Sequence, residues 1–103
     1  MLVTFGCIVG NAQTNTEVFL LDLSVVNETI RLSSPNNISN NIGYDNQPSF
    51  YNDNLVVFAS TRNEQTDIAG FAINRSNVSW ITDTQNGSEY SPLKIPGKKS
   101  VST

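Results

Sequence analysis

The sequence predicts an all-β chain of short antiparallel strands, and three observations carry that expectation. No window sustains apolar residues at the i, i+3, i+4, i+7 spacing of an amphipathic helix. Short apolar runs alternate throughout with clusters of Asn, Asp, Gly, Ser and Pro, the residues that build turns. Polarity is supplied by Asn, Ser and Thr rather than by charge, since only 15% of the 103 residues are charged. Such side chains compete with helical backbone hydrogen bonds and favour turns and strand surfaces. The length suits one small domain.

Residues 1–12, MLVTFGCIVGNA, differ from the rest. The apolar run Leu2–Val9 precedes Gly10-Asn11-Ala12, a small-x-small pattern that suits signal-peptidase cleavage before Gln13. A signal peptide is therefore expected at 1–12, with the basic region that usually opens one missing. The alternative is a buried strand, LVTFGCIV. The run is too short to span a bilayer.

From residue 13 to 103 the pattern is strand, turn, strand. EVFLLDL (17–23) and NETIRLSS (27–34) form the first pair, with the turn expected at 24–26. The Asn-rich stretch 35–46 reads as a loop. QPSF (47–50), LVVFAS (55–60), TDIAGFAIN (66–74) and VSWITDT (78–84) follow as four strands separated by turns at 51–54, 61–65 and 75–77. QNGSEYSP (85–92) is again a turn, and 93–103 trails off. Gly70 inside the third strand marks a weak point or a bulge.

The strands are apolar on both faces. Leu55, Val57 and Ala59 point one way, Val56 and Phe58 the other. A sheet with one wet face alternates instead, so these strands belong between two layers. The pattern also recurs, with a period between about forty and fifty residues. Glu17 falls on Asp67, Val18 on Ile68, Leu21 on Phe71, Leu23 on Ile73 and Leu32 on Ile81. Gly43, Asp45, Gln47 and Pro48 fall on Gly87, Glu89, Ser91 and Pro92. Four strands per repeat of this length is the pattern of propeller blades.

The segments GYDNQPSF, LVVFASTRNEQTDIAGFAI and ITDTQNGSEYSP resemble the WD-like repeat of TolB-like β-propellers, over about residues 17–95. Pro48-Ser49-Phe50, Ser60-Thr61-Arg62, Thr66-Asp67-Ile68 and Ile81-Thr82 occupy the motif positions; Ala69-Gly70 and the YNDN turn depart from them. The resemblance implies an incomplete propeller of four-stranded antiparallel blades. Residues 17–34 would give two outer strands of one blade, 47–84 one full blade, and 88–103 the start of the next. A propeller closes with about four or more blades. The expectation is thus a fragment of a longer chain whose remaining blades lie elsewhere, or a chain completed by self-association.

For function, composition mainly excludes. The chain has no histidine, so it holds neither a Ser/His/Asp triad nor a His-ligated zinc of its own. The net charge of −3 argues against a nucleic-acid groove. No cofactor, metal site or catalytic constellation is expected. Asp45 and Glu89, in equivalent turns, read as caps of backbone N–H groups, or else as carboxylates facing a shared cleft. Tyr44, Asp45, Glu89 and Tyr90 make the possible interaction surface. Arg62 and Asp67 read as an ion pair across a hairpin, and Pro48 and Pro92 as strand-edge positions where a missing N–H costs little. Together with the resemblance, this implies a non-catalytic exported module of the bacterial periplasm or cell surface that binds a protein or peptide. The alternative is a segment of a larger hydrolase, peptidase or polysaccharide lyase.

Overall fold

The computed structural model describes residues 15–103, and they are all-β. The expected signal peptide at 1–12 lies outside the described residues. The strands are β1 (Phe19–Leu20), β2 (Leu23–Val26), β3 (Thr29–Leu32), β4 (Asn36–Asn37), β5 (Asp45–Asn52), β6 (Leu55–Arg62), β7 (Gln65–Ala72), β8 (Asn77–Trp80), β9 (Leu93–Lys94) and β10 (Val101–Ser102). Strands β5 to β8 form one antiparallel sheet in sequence order, while β1 pairs with β4, β2 with β3 and β9 with β10. No helix among the described residues is long and apolar enough to cross a membrane.

Two hairpins turn on the same dipeptide. Asn63-Glu64 joins β6 to β7 with φ of 51° and 65°, and Asn27-Glu28 joins β2 to β3 with φ of 50° and 63°. Two successive positive φ values match the right-handed strand twist, and Asn tolerates them better than most residues. The first turn was expected at 24–26; Ser24–Val26 instead extend β2. Val25 and Val26 are β-branched and settle in extended backbone, which leaves the reversal to Asn-Glu.

Both faces of the central strands β6 and β7 are buried. On one, Val56, Phe58, Ala69 and Phe71 pack against Val18 and Ile38 from the preceding segment. On the other, Val57, Ala59 and Ile68 pack against Tyr44, Tyr51 and Leu55. Gly70 marks no bulge in β7, since it stays paired to Val57 on one side and Ser79 on the other without a shift of register. It makes room: a Cβ there would lie 3.1 Å from Ile81 Cδ1.

The stretch expected as a loop at 35–46 holds a short strand and a core residue. The Ile38 N–H donates to the Val18 carbonyl at 2.9 Å, and Ile38 is buried. A single Ile among asparagines gives no periodicity, so this strand is invisible until its partner is known. Between β1 and β4 the chain runs out into a hairpin arm, β2–β3, whose residues are all exposed. Leu23, Val25, Ile30 and Leu32 share one face of it through the pairs Leu23↔Leu32 and Val25↔Ile30.

The passage into the sheet turns at Gly43, with φ of 137°. An added Cβ would lie 3.0 Å from the backbone oxygen of Thr61. Backbone cannot give way as a side chain can, and the φ itself disfavours any L side chain. Gly43→Ala is expected to cost about 1–3 kcal/mol in urea unfolding. A loss below about 0.5 kcal/mol would mean that this turn relaxes freely.

Candidate functional site

Two junctions carry much of the polar chemistry of the described residues, and a shared set of hydrogen bonds recurs in both. In the first, Ser39 Oγ accepts from the Val18 N–H at 2.9 Å and donates to the Glu17 carboxylate. The Asn41 N–H donates to Glu17 Oε1 at 3.1 Å. The Asp45 N–H donates to the Thr16 carbonyl at 3.1 Å. In the second, Thr82 Oγ1 accepts from the Ile68 N–H at 2.9 Å and lies 3.1 Å from Asp67 Oδ1. The Thr84 N–H donates to Asp67 Oδ1 at 2.8 Å, and the Glu89 N–H to the Thr66 carbonyl at 3.0 Å.

The expected equivalence of Glu17 with Asp67, Val18 with Ile68 and Asp45 with Glu89 is thus matched by hydrogen bonds. The match of Leu32 with Ile81 is corrected. Ile81 N–H donates to the Ile68 carbonyl at 2.7 Å just as Ile38 does to Val18, so Ile38 is the equivalent residue. The arm, inserted only in the first unit, shifts the alignment, and Leu32 lies exposed on it. The backbone repeats as well: Gln47 (φ 55°) precedes Pro48, and Ser91 (φ 52°) precedes Pro92. At the first of these β5 slips register against β6 between Asn46 and Ser49, so Pro48 sits where no ladder N–H is required. Pro48 is exposed, whereas Pro92 is buried.

Asp45 does not belong to an exposed surface. It is 1% exposed. Ser60 Oγ donates to its Oδ1, Asn41 Nδ2 donates to its Oδ2 at 2.9 Å, and Arg62 Nη1 lies 3.5 Å from Oδ1. Arg62 therefore pairs with Asp45 rather than with Asp67. Asp45 and Asp67 both stand across from Ser60, in the β5–β6 and β6–β7 ladders, and Ser60 is two residues from Arg62 along the same face. The Asp67 carboxylate is turned toward Thr82 and Thr84 instead. The Arg62 guanidinium also lies over the Trp80 ring, 5.1 Å from its centroid, an arrangement that stabilises a partly exposed cation by about 0.5–1 kcal/mol.

The two tyrosines of the expected surface do meet. The Tyr44 and Tyr90 rings are 6.4 Å apart at 66°, edge to face. Tyr44 leans on the Val57 cluster, whereas Tyr90 stays 45% exposed. Glu89 is half-buried behind it. Beside Asp67 opens a cavity of about 520 Å³ lined by Arg62, Gln65, Asp67, Trp80, Thr82 and Asp83. Among the described residues no group of three His, Cys, Asp or Glu side chains could hold a metal ion.

The buried aspartates titrate in opposite directions. Burial raises the Asp45 carboxyl above its ordinary range, against the opposing pull of the Ser60 hydrogen bond and Arg62. The Thr84 backbone N–H holds Asp67 below its ordinary range. A folded Asp45 takes up a proton more readily than the unfolded chain does. It therefore adds stability as pH falls through its folded pKa toward about 4. Asp67 contributes stability above about 4 that is lost as pH falls through its lower folded value. Carboxyl carbon shifts followed against pH are expected to place Asp45 above Asp67, and the reverse order would refute both assignments.

Ser39 and Asn41 were not singled out in the sequence, and Glu17, Ser60 and Thr82 entered only as repeat or motif positions with no bonding role. The available signal for Ser39 was an isolated Ile-Ser among asparagines, which is too short to stand out. Comparison of the chain with known protein families, curated proteins and solved structures finds no match.

Proposed function

We propose that this chain is part of a TolB-like β-propeller, exported to the bacterial periplasm or cell surface, and that it binds a protein or peptide without catalysing a reaction. One observation carries the reading: the acid, hydroxyl and amide constellation of Glu17, Ser39 and Asn41 recurs at Asp67, Thr82 and Thr84. Repeat units bury their faces against neighbours, so a repeated junction implies stacked wedges rather than one self-sufficient sheet. The surface offered to a partner is the paired edge at Tyr44 and Tyr90, since an exposed ring with a polar tip suits peptide recognition.

Two measurements test it. Reading the gene beyond both ends of the coding segment is expected to reveal further Pro-Ser-Phe and Thr-Asp-Ile repeats. A downstream G-x-S-x-G would instead favour the hydrolase alternative. Peptides selected on the immobilised chain from a display library are expected to lose about tenfold or more in affinity when Tyr90 becomes Ala. Selected peptides that ignore both tyrosines would remove the proposed surface.

A further inference from the structure

Strand β8 stops short of its partner, and the gap beside it is a polar cavity with one aromatic wall. The β7–β8 ladder covers only Ala69–Ala72, whereas β7 begins at Gln65. Past Trp80 the chain turns away, because the Ile81 and Thr82 N–H groups both donate to the Ile68 carbonyl, at 2.7 and 3.2 Å. The resulting notch is the 520 Å³ cavity, with Arg62, Asn63 and Gln65 from the β6–β7 hairpin and Trp80, Thr82 and Asp83 from the outgoing chain. Its volume lies within the range of about 300–1,000 Å³ that small-molecule sites occupy.

This notch is not the Tyr44–Tyr90 surface. Trp80 stands across from Ala69, on the sheet face that packs on Val18 and Ile38, while Tyr44 leans on the opposite face with Val57 and Ile68. None of the lining residues belongs to the packed cluster of either face, and all fall within residues 62–83.

The aromatic wall is held in place. The Arg62 guanidinium lies 5.1 Å from the Trp80 ring centroid and is itself anchored 3.5 Å from Asp45. Trp80 is still 46% exposed, so ring surface stays open. Every other lining residue is polar. Gln65 Nε2 donates to the Gly87 carbonyl, which fixes that amide. Asp83 is exposed and has no ion-pair partner among the described residues.

This combination selects a ligand by exclusion. An apolar ligand would cover polar groups without giving them partners. An anionic ligand meets two carboxylates, Asp67 and Asp83, while the only arginine present is already paired with Asp45. A cationic ligand would compete with Arg62 for the ring and be repelled by it. What fits is a neutral ring with an apolar C–H face and several hydroxyls. We propose that the notch beside Trp80 binds a neutral pyranose sugar unit of a glycan. Its C–H face stacks on the indole, and its hydroxyls donate to Asp83 and exchange hydrogen bonds with the Asn63 and Gln65 amides. This goes beyond the peptide-binding reading and stands whether or not the chain is part of a propeller.

Trp80 is the only tryptophan of the sequence, so its emission reports on the cavity. The probes are cellohexaose, xylohexaose and mannohexaose, each titrated into the full chain. At least one is expected to change the emission saturably, with half-saturation at about 1 mM or below. Asp83→Ala is expected to weaken that sugar about tenfold or more while leaving the urea midpoint unchanged. Trp80→Ala, followed by calorimetry, is expected to lose about tenfold or more, and Trp80→Phe to recover part of the loss. Should Trp80→Ala fail to fold, the exposed Asp83→Ala decides alone. No saturable change with any of the three sugars at about 10 mM overturns the proposal, as does unaltered affinity in the Asp83→Ala chain. A response confined to adenosine, or to a lysine-rich peptide, also overturns it, because the notch would then take a nucleoside or a cation.

Discussion

Phe58→Ala is expected to lower the stability of the chain by about 3–5 kcal/mol. Phe58 is 0% exposed, the largest fully buried side chain of the sheet, and it touches both the sheet and the segment before it. Removing its ring loses contact with Val18 and Ile38 as well as with Val56, Ala69 and Phe71. A domain of this size is stable by about 5–15 kcal/mol, so roughly a fifth or more of the total is at stake. Urea unfolding followed by Trp80 fluorescence measures it. Phe58→Leu, which keeps most of the volume, is expected to lose less than half as much. If Phe58→Ala costs under about 1 kcal/mol, the segment carrying Val18 and Ile38 does not pack on this sheet.

Asp45→Ala is expected to cost about 2–4 kcal/mol at neutral pH, because Ser60, the Asn41 amide and Arg62 all lose an acceptor while half-buried or buried. The cost lies in the partners left behind rather than in the ion pair. Arg62 is partly open to water, with its side chain 32% exposed, and such pairs are screened. Two consequences separate this from simple loss of volume. Asp45→Asn is expected to cost less than Asp45→Ala, since burial already disfavours the charged form. Arg62→Met combined with Asp45→Ala is expected to cost less than the sum of the two. A double-mutant cycle by urea unfolding checks both, and strict additivity would mean that the 3.5 Å contact is energetically silent.

Much of the architecture was legible without coordinates because its signals are local. Leu55–Ala59 and Ile68–Ala72 hold no polar side chain at consecutive positions, and such runs bounded by Asn-rich turns have few conformations besides a strand buried on both faces. The four central strands overlap the expected runs, with corrected ends: β5 spans Asp45–Asn52 rather than 47–50, β6 runs on to Arg62, β7 ends at Ala72 rather than 74, and β8 ends at Trp80 rather than 84. The β2–β3 turn was misplaced because its signal, Asn-Glu, is weaker than the Asn-Gly of a hairpin, and β4 was missed because two residues make no pattern.

The candidate site was legible only in part. Equivalence of Asp45 with Glu89 followed from repeated turn residues. Their unequal fates did not. Asp45 is buried on Arg62 and Glu89 shares the Thr82 hydroxyl with Asp67, because each depends on what a strand many residues away delivers to it. The same holds for Arg62. Sequence proximity suggested Asp67; both aspartates stand across from Ser60, one on each side, but the Asp67 carboxylate is held by Thr82 and Thr84, which leaves Asp45 to Arg62.

By itself the sequence determined the all-β class, the two-sided burial of the central strands and the repetition of a unit, since side-chain period and turn chemistry are properties of neighbours along the chain. The tertiary structure alone decided that Ile38, and not Leu32, closes the first unit, that Gly70 is an accommodation for Ile81, and which carboxylate holds the arginine. Those outcomes rest on pairings between distant segments. A hydrogen bond or a packed methyl group is fixed by its partner's position, and that position exists only once the sheet has formed.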